Sequence, residues 1–147
     1  MNLKERLVED MKSALKRSEK ERLSVIRMAR AAILKVEKDT QKDLNDDEVL
    51  EVLAKEIKKN KEALADFVRG NREDLVKKAE YEIGVISEYL PKQLTREELS
   101  AIVKDAIIST ESNGFKDIGK VMSFVMPTVK GRADGKMVNE LAKEFLS

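Results

Sequence analysis

The chain has 147 residues, 39% of them charged and only 4% aromatic, with a net charge of +1 and no His, Cys or Trp. That length suffices for one or two small domains with a real core, and the residue balance favours a helical protein over a β-protein, which draws more heavily on aromatic and β-branched residues. The missing residue types exclude disulfides, a Cys/His zinc site and any nucleophile driven by a histidine base.

Leu3, Leu7, Met11 and Leu15 recur every fourth residue, with Val8 and Ala14 beside them, and predict a first helix over roughly residues 2–16. Ser18-Glu19-Lys20-Glu21 has the spacing of a capping box and is expected to start a second helix reaching about Asp39, with Leu23, Ile26, Ala29, Ile33, Leu34 and Val36 inside. The short Arg17-Ser18 link makes these two helices antiparallel neighbours. Residues 39–43 form a polar linker. Asn45, followed by Asp46, Asp47 and Glu48, predicts a capped third helix that buries Val49, Leu50, Leu53, Ile57, Leu64, Phe67 and Val68 and ends at Gly70 as the C′ residue.

Asn71 is expected to cap a fourth helix carrying Leu75, Val76, Ala79, Ile83, Ile86 and Leu90, with Pro91 as its stop. Gly84, inside that helix, is expected to permit a close helix–helix approach at a cost of about 1 kcal/mol relative to Ala. Thr95-Arg96-Glu97-Glu98 opens a fifth helix with Leu99, Ile102, Val103, Ala106 and Ile107, ended by Asn113-Gly114. Asp117 and Asp134 are expected to cap a sixth helix over residues 118–128 and a seventh over 135–146, with Pro127 near the end of the sixth. No strand-like alternation of useful length appears. The predicted fold is all-α: an N-terminal antiparallel bundle of about four helices over residues 1–92, then a small three-helix C-terminal domain over residues 93–147, with the boundary at Pro91 to Leu94.

The charge is unevenly spread. Residues 1–42 carry 12 cations against 7 acids, residues 43–92 carry 9 against 13, and residues 93–147 carry 8 of each. The densest signal is Lys130-Gly131-Arg132-Ala133-Asp134-Gly135-Lys136, two glycines and three cations in seven residues. Glycines let backbone N–H groups approach phosphate, and the cations neutralise it, which points to a polyanion contact through Lys120, Lys130, Gly131, Arg132 and Lys136. The simpler reading is a helix–helix turn with Gly131 at C′ and Asp134 at N-cap. Neither a phosphate loop nor a dinucleotide fingerprint is present.

Arg22, Arg27 and Arg30 on the second helix could face RNA, but the acidic middle block favours pairing of Arg30 with an acid of the third or fourth helix. The acids from Asp46 to Glu51 lack calcium-loop spacing and read as an acidic first helical turn. Met122, Phe124, Met126 and Met137 read as core, and Tyr81 and Tyr89 as bundle residues with no activating partner in view. No catalytic residue, metal or cofactor is expected. The N-terminus MNLKERLVEDMK has no apolar stretch and no 18-residue apolar run exists, so the reading is a cytoplasmic protein without a membrane partner.

Three ordered motifs carry a resemblance: Glu88-Tyr89-Leu90-Pro91-Lys92-Gln93-Leu94, then Gly119-Lys120-Val121-Met122, then the Lys130–Lys136 turn followed by Val138-Asn139-Glu140-Leu141. With them the whole chain resembles the YqeY family, which is itself similar to the C-terminal tail domain of the B subunit of the tRNA-dependent Asp/Glu amidotransferase (GatB). The resemblance implies an all-helical fold and association with tRNA. It also implies a partner such as an amidotransferase or an aminoacyl-tRNA synthetase. A carbon–nitrogen ligase activity with glutamine as amide donor is implied by the resemblance alone, since the amidotransferase's catalytic domain has no counterpart here. The alternative is a helical adaptor for protein partners with no RNA contact. Gly135 stands where many such tails carry Pro, which is expected to loosen the start of the seventh helix.

Overall fold

The computed structural model describes residues 1–147 and contains seven α-helices, one 3-10 turn and no strand. The helices are α1 (Leu3–Lys16), α2 (Lys20–Thr40), α3 (Asp46–Arg69), α4 (Glu73–Ser87), α5 (Arg96–Ser109), α6 (Ile118–Val129) and α7 (Gly135–Leu146), with the 3-10 turn at Phe115–Asp117. They form two compact units, Met1–Leu90 and Pro91–Ser147.

In the first unit α1 packs on α2 and α3, α2 on α3 and α4, and α3 on α4. Leu7, Ile26, Val49 and Leu53 are sealed from solvent at the centre, joined by Val25, Ile33, Val85, Ile86 and Tyr89. Leu7 lies on the core line of α1 with Ala14, whereas Leu15 is 59% exposed, a correction to the expected stripe. A four-residue step overshoots the helical repeat by about 40°, so the spacing of Leu3 to Leu15 winds off the core while Ala14, seven residues on from Leu7, returns to it. Leu34 (54%) and Val68 (57%), both expected inside, are exposed as well, because each follows a more buried neighbour, Ile33 or Phe67, and so turns about 100° away from it. Gly84 is also corrected: a Cβ built there meets nothing within 4 Å, so no helix approaches it closely.

The helix ends obey local chemistry, with two reversals of role. Asn45 and Glu48 form the expected reciprocal capping box, and Asn2 with Glu5 forms another. Ser18 and Asn71, expected as N-caps, instead take left-handed backbone (φ 57° and 54°) and close the preceding helices. At each, the next residue's N–H reaches back five positions, Glu19 to the Ala14 carbonyl (2.9 Å) and Arg72 to the Phe67 carbonyl (3.0 Å), as a Schellman motif does. The reversing links are so short that the residue able to turn the chain is spent on termination, and α2 and α4 start without a side-chain cap. Gly70 therefore sits one residue before the left-handed position.

The polar link after α2 is anchored by Glu37, whose carboxylate accepts from the Lys4 ammonium (2.8 Å) and the Leu44 N–H (2.9 Å). The Lys4 hydrogen bond first, then the Leu44 N–H, holds the Glu37 carboxyl below its ordinary range. Leu44 is thereby pinned in the core at 5% exposure.

In the second unit α5, α6 and α7 pack pairwise around Leu99, Val103, Val121, Val125, Val129, Val138 and Leu141. Thr95 caps α5 through the Glu98 N–H (3.1 Å). That helix stops at Ser109, before the expected Asn113-Gly114, because Glu111 takes the left-handed conformation. Asp117 does not cap α6; its carboxylate accepts from the Asn113 N–H (2.7 Å) and bridges the loop instead. Pro127 lies inside α6, which continues to Val129: near a helix C-terminus proline removes one backbone bond without ending the last turn. Phe124 (53% exposed) and Met137 (37%) leave the expected core, which valines at 121, 125 and 129 occupy.

Candidate nucleic-acid interface

The basic turn is built from its backbone outward. Lys130 departs from helical geometry (φ −55°, ψ 125°), and Gly131 follows at φ 78°, a region that L side chains rarely adopt. The Arg132 and Ala133 N–H groups both donate to the Val129 carbonyl, at 2.8 and 3.1 Å, which closes the end of α6. Asp134 then caps α7 by accepting from the Lys136 N–H (3.1 Å). Gly135 is the first residue of α7, so the cap holds despite the glycine, and a Cβ there would lie 3.5 Å from the Met126 methyl.

A second segment braces this turn. The Leu94 N–H donates to the Arg132 carbonyl (2.9 Å). The Gln93 side-chain amide donates to the Gly131 carbonyl (2.8 Å) and to the Pro91 carbonyl (3.1 Å), and the Arg132 Nε donates to the Lys92 carbonyl (3.3 Å). A Cβ on Gly131 would lie 3.9 Å from Pro91 Cδ. Two of the recurring motifs in the sequence are thus one structure: residues 91–94 form a strap across the 130–132 turn.

The structure brings Lys130, Gly131, Arg132 and Lys136 together. Lys130 and Lys136 are exposed; Arg132 is half-buried by its contact with the strap. Lys120 does not join them. It lies near the start of α6, about 15 Å from Lys130 along the helix axis at 1.5 Å per residue. Its ammonium donates to the Thr110 carbonyl (3.1 Å) and so satisfies an open carbonyl at the end of α5.

The arginines of α2 separate as well. Arg22 pairs with Glu88 (2.7 Å). Arg30 contacts the Met11 sulfur (3.3 Å) rather than an acid of α3 or α4, which corrects the expected pairing. Arg27 is exposed.

Tyr89 has partners the sequence did not reveal. Its ring is 4% exposed, its hydroxyl hydrogen-bonds Asp10, and the Arg6 guanidinium sits 4.5 Å from the ring centroid. Burial first, then the Asp10 hydrogen bond, drives the phenol pKa well above its ordinary value, so the group stays protonated and acts as a structural donor. Arg6 and Asp10 stand four apart on α1, which was the available signal; nothing local ties either to residue 89.

No group of three or more acidic side chains is placed to hold a metal ion, and no helix is long and apolar enough to cross a membrane.

A protein-family profile described as Yqey-like protein matches residues 4–146. Three curated relatives share one name, "Altered inheritance of mitochondria protein 41, mitochondrial". The Pyrenophora tritici-repentis protein is 31% identical over 144 residues, covering 96% of this chain and 79% of the relative. The Kluyveromyces lactis protein is 37% identical over 101 residues, covering 66% of this chain and 54% of the relative. The Lachancea thermotolerans protein is 29% identical over 147 residues, covering 95% and 79%. The name assigns all three relatives to mitochondria, which overturns the cytoplasmic reading taken from the N-terminal residues. It mentions neither RNA nor an amidotransferase.

Proposed function

The chain belongs to the YqeY family, and from that premise we propose that its C-terminal unit is a binding module for structured RNA, tRNA above all, with no active site of its own. The contact is made by Lys130, Arg132 and Lys136, with the Gly131 backbone close to the phosphates. The observation that carries this reading is the strap. Three hydrogen bonds between residues 92–94 and the turn hold it from one side, so its cations are presented on a rigid frame. A pre-set turn loses little conformational freedom when it meets a phosphate chain. A carbon–nitrogen ligase or amidotransferase role enters only as assistance to an enzyme or synthetase that holds the tRNA.

The test is fluorescence anisotropy of labelled tRNA across a salt series. Each phosphate contact contributes about 0.9 to the slope of log affinity against log salt. Lys130→Ala with Lys136→Ala is expected to flatten that slope by roughly 2. Arg132→Ala weakens binding too, but it also removes the hydrogen bond to Lys92. An unchanged slope in the double variant, or equal affinity for a duplex of the same charge, overturns the proposal.

A second reading is a protein adaptor, favoured by Ile108 (74% exposed), Phe115 (59%) and Phe124 on the same unit. Failure to bind tRNA at low salt, together with loss of a stable protein partner on Phe124→Ser, favours it.

A further inference from the structure

The outer face of α2 carries a pattern that neither the core nor the RNA reading uses. Lys20, Arg27, Lys35 and Lys38 are exposed along it, and none is in an ion pair with any acid of the protein. Between them lie Met28 (46% exposed), Ala31 and Leu34 (54%). Lys20 and Lys38 are separated by five full turns and point the same way, so the stripe runs straight for about 27 Å. No acid interrupts its midline; Glu21 and Asp39 stand at its edge, turned toward the grooves that α2 forms with α4 and α3, and Lys35 lines the second of these grooves with Asp39, Glu48 and Glu51. A shallow concavity lined by Lys20, Leu23, Ser24, Arg27, Met28 and Ala31 opens on it.

We propose that this face docks an acidic amphipathic helix of a protein partner. Charge complementarity selects the occupant. Lys20, Arg27 and Lys38 along a midline that no acid interrupts call for carboxylates, and the interleaved Met28, Ala31 and Leu34 call for apolar anchors at i, i+3 and i+4 spacing. Methionine suits such a seat because its side chain refits to its partner. A phosphate backbone would use the cations and leave Met28 and Leu34 without a role. A membrane surface would require cations at the rim of a broad apolar face, whereas here Lys20, Arg27 and Lys38 lie near the midline. The proposal is independent of the RNA reading, which concerns the other unit.

The test titrates the nitrogen-15-labelled full chain with a synthetic helical peptide of about 18 residues, long enough to match the stripe at 1.5 Å per residue, with leucines on one face and glutamates on the other. The expected result is saturable amide shifts confined to the outer face of α2. Arg27→Glu with Lys38→Glu weakens binding on the order of tenfold. Met28→Ser with Leu34→Ser also weakens it several-fold, and all four side chains are exposed, so the fold persists. A peptide with lysine in place of glutamate does not bind. The proposal is overturned if the acidic peptide leaves α2 unshifted or if the Met28/Leu34 variant binds unchanged. It is equally overturned if bulk tRNA or phosphatidylglycerol vesicles shift the stripe at lower concentration than the peptide.

Discussion

The Gln93 side-chain amide spans 38 residues of sequence to hydrogen-bond the Gly131 carbonyl at 2.8 Å, and through that bond the segment after Leu90 becomes part of the basic turn. The glycine it meets is held at φ 78° with Pro91 at its back. Gly131→Ala is expected to lower stability by about 1–2 kcal/mol, read as a fall in the thermal midpoint of the second unit, because a Cβ disfavours left-handed backbone whatever the space. Gln93→Ala is expected to cost about 0.5–1.5 kcal/mol, in the range of one exposed hydrogen bond, and to speed amide exchange at Leu94. Equal stability of Gly131→Ala and wild type would contradict this geometry.

The left-handed residues at helix ends make a converse prediction. Glu111 holds φ 51° without being Gly or Asn, so Glu111→Gly is expected to stabilise the protein by roughly 0.5–1 kcal/mol in chemical denaturation. Gly84→Ala should do likewise by about 0.5–1 kcal/mol, since a helical Cβ there meets open space. A loss of stability in Gly84→Ala would mean that a neighbour approaches more closely than the structure has it.

Tyr89→Phe keeps the buried ring and removes the donor to Asp10, at an expected cost of about 1 kcal/mol near neutral pH. The phenol pKa is raised in the folded state above its ordinary 10.0, so the folded protein binds that proton more tightly than the unfolded chain. The associated stability is complete below about pH 10 and is lost as pH rises through the folded-state value. Denaturation curves of the two proteins should therefore converge above pH 10, and a constant gap across that range would remove Tyr89 as the titrating group.

Glu37 works at the other end of the scale. Its folded pKa is lowered from 4.5 by Lys4 and the Leu44 N–H, so its contribution is present above that value and fades as pH falls through the lowered one. Glu37→Gln is expected to destabilise the first unit at pH 7 and to flatten the acid limb of stability against pH below about 4.5. The Leu44 amide should exchange faster in the variant, because its acceptor is weaker. An acid limb identical to wild type would assign the sensitivity elsewhere.

Helix number and class were legible because periodicity and caps act within a few residues: Asn45, Thr95 and Asp134 cap as their spacing predicts. Roles that depend on which of two neighbouring helices claims a residue were not legible. Ser18 and Asn71 have the chemistry of a cap and the conformational tolerance of a terminator, and the three-residue links gave them to the preceding helix. Met122 and Phe124 look equally apolar in sequence, yet only the rotation of α6 decides that Phe124 faces out. At the candidate interface the cations of the 130–136 turn were visible, but the strap was not, because its acceptors are backbone carbonyls and any residue carries one. Lys120 was grouped with the turn by sign of charge, whereas its place is fixed by the Thr110 carbonyl.

The strap also bears on the order of events during folding. Its bonds close a loop that already contains α5 and α6, and such closure is entropically cheap only once those helices have shortened the path between the ends. Residues 91–94 are therefore expected to settle after the three-helix core has collapsed, as a latch on the unfolding step: weakening Gln93 should accelerate opening while leaving the rate of collapse almost untouched.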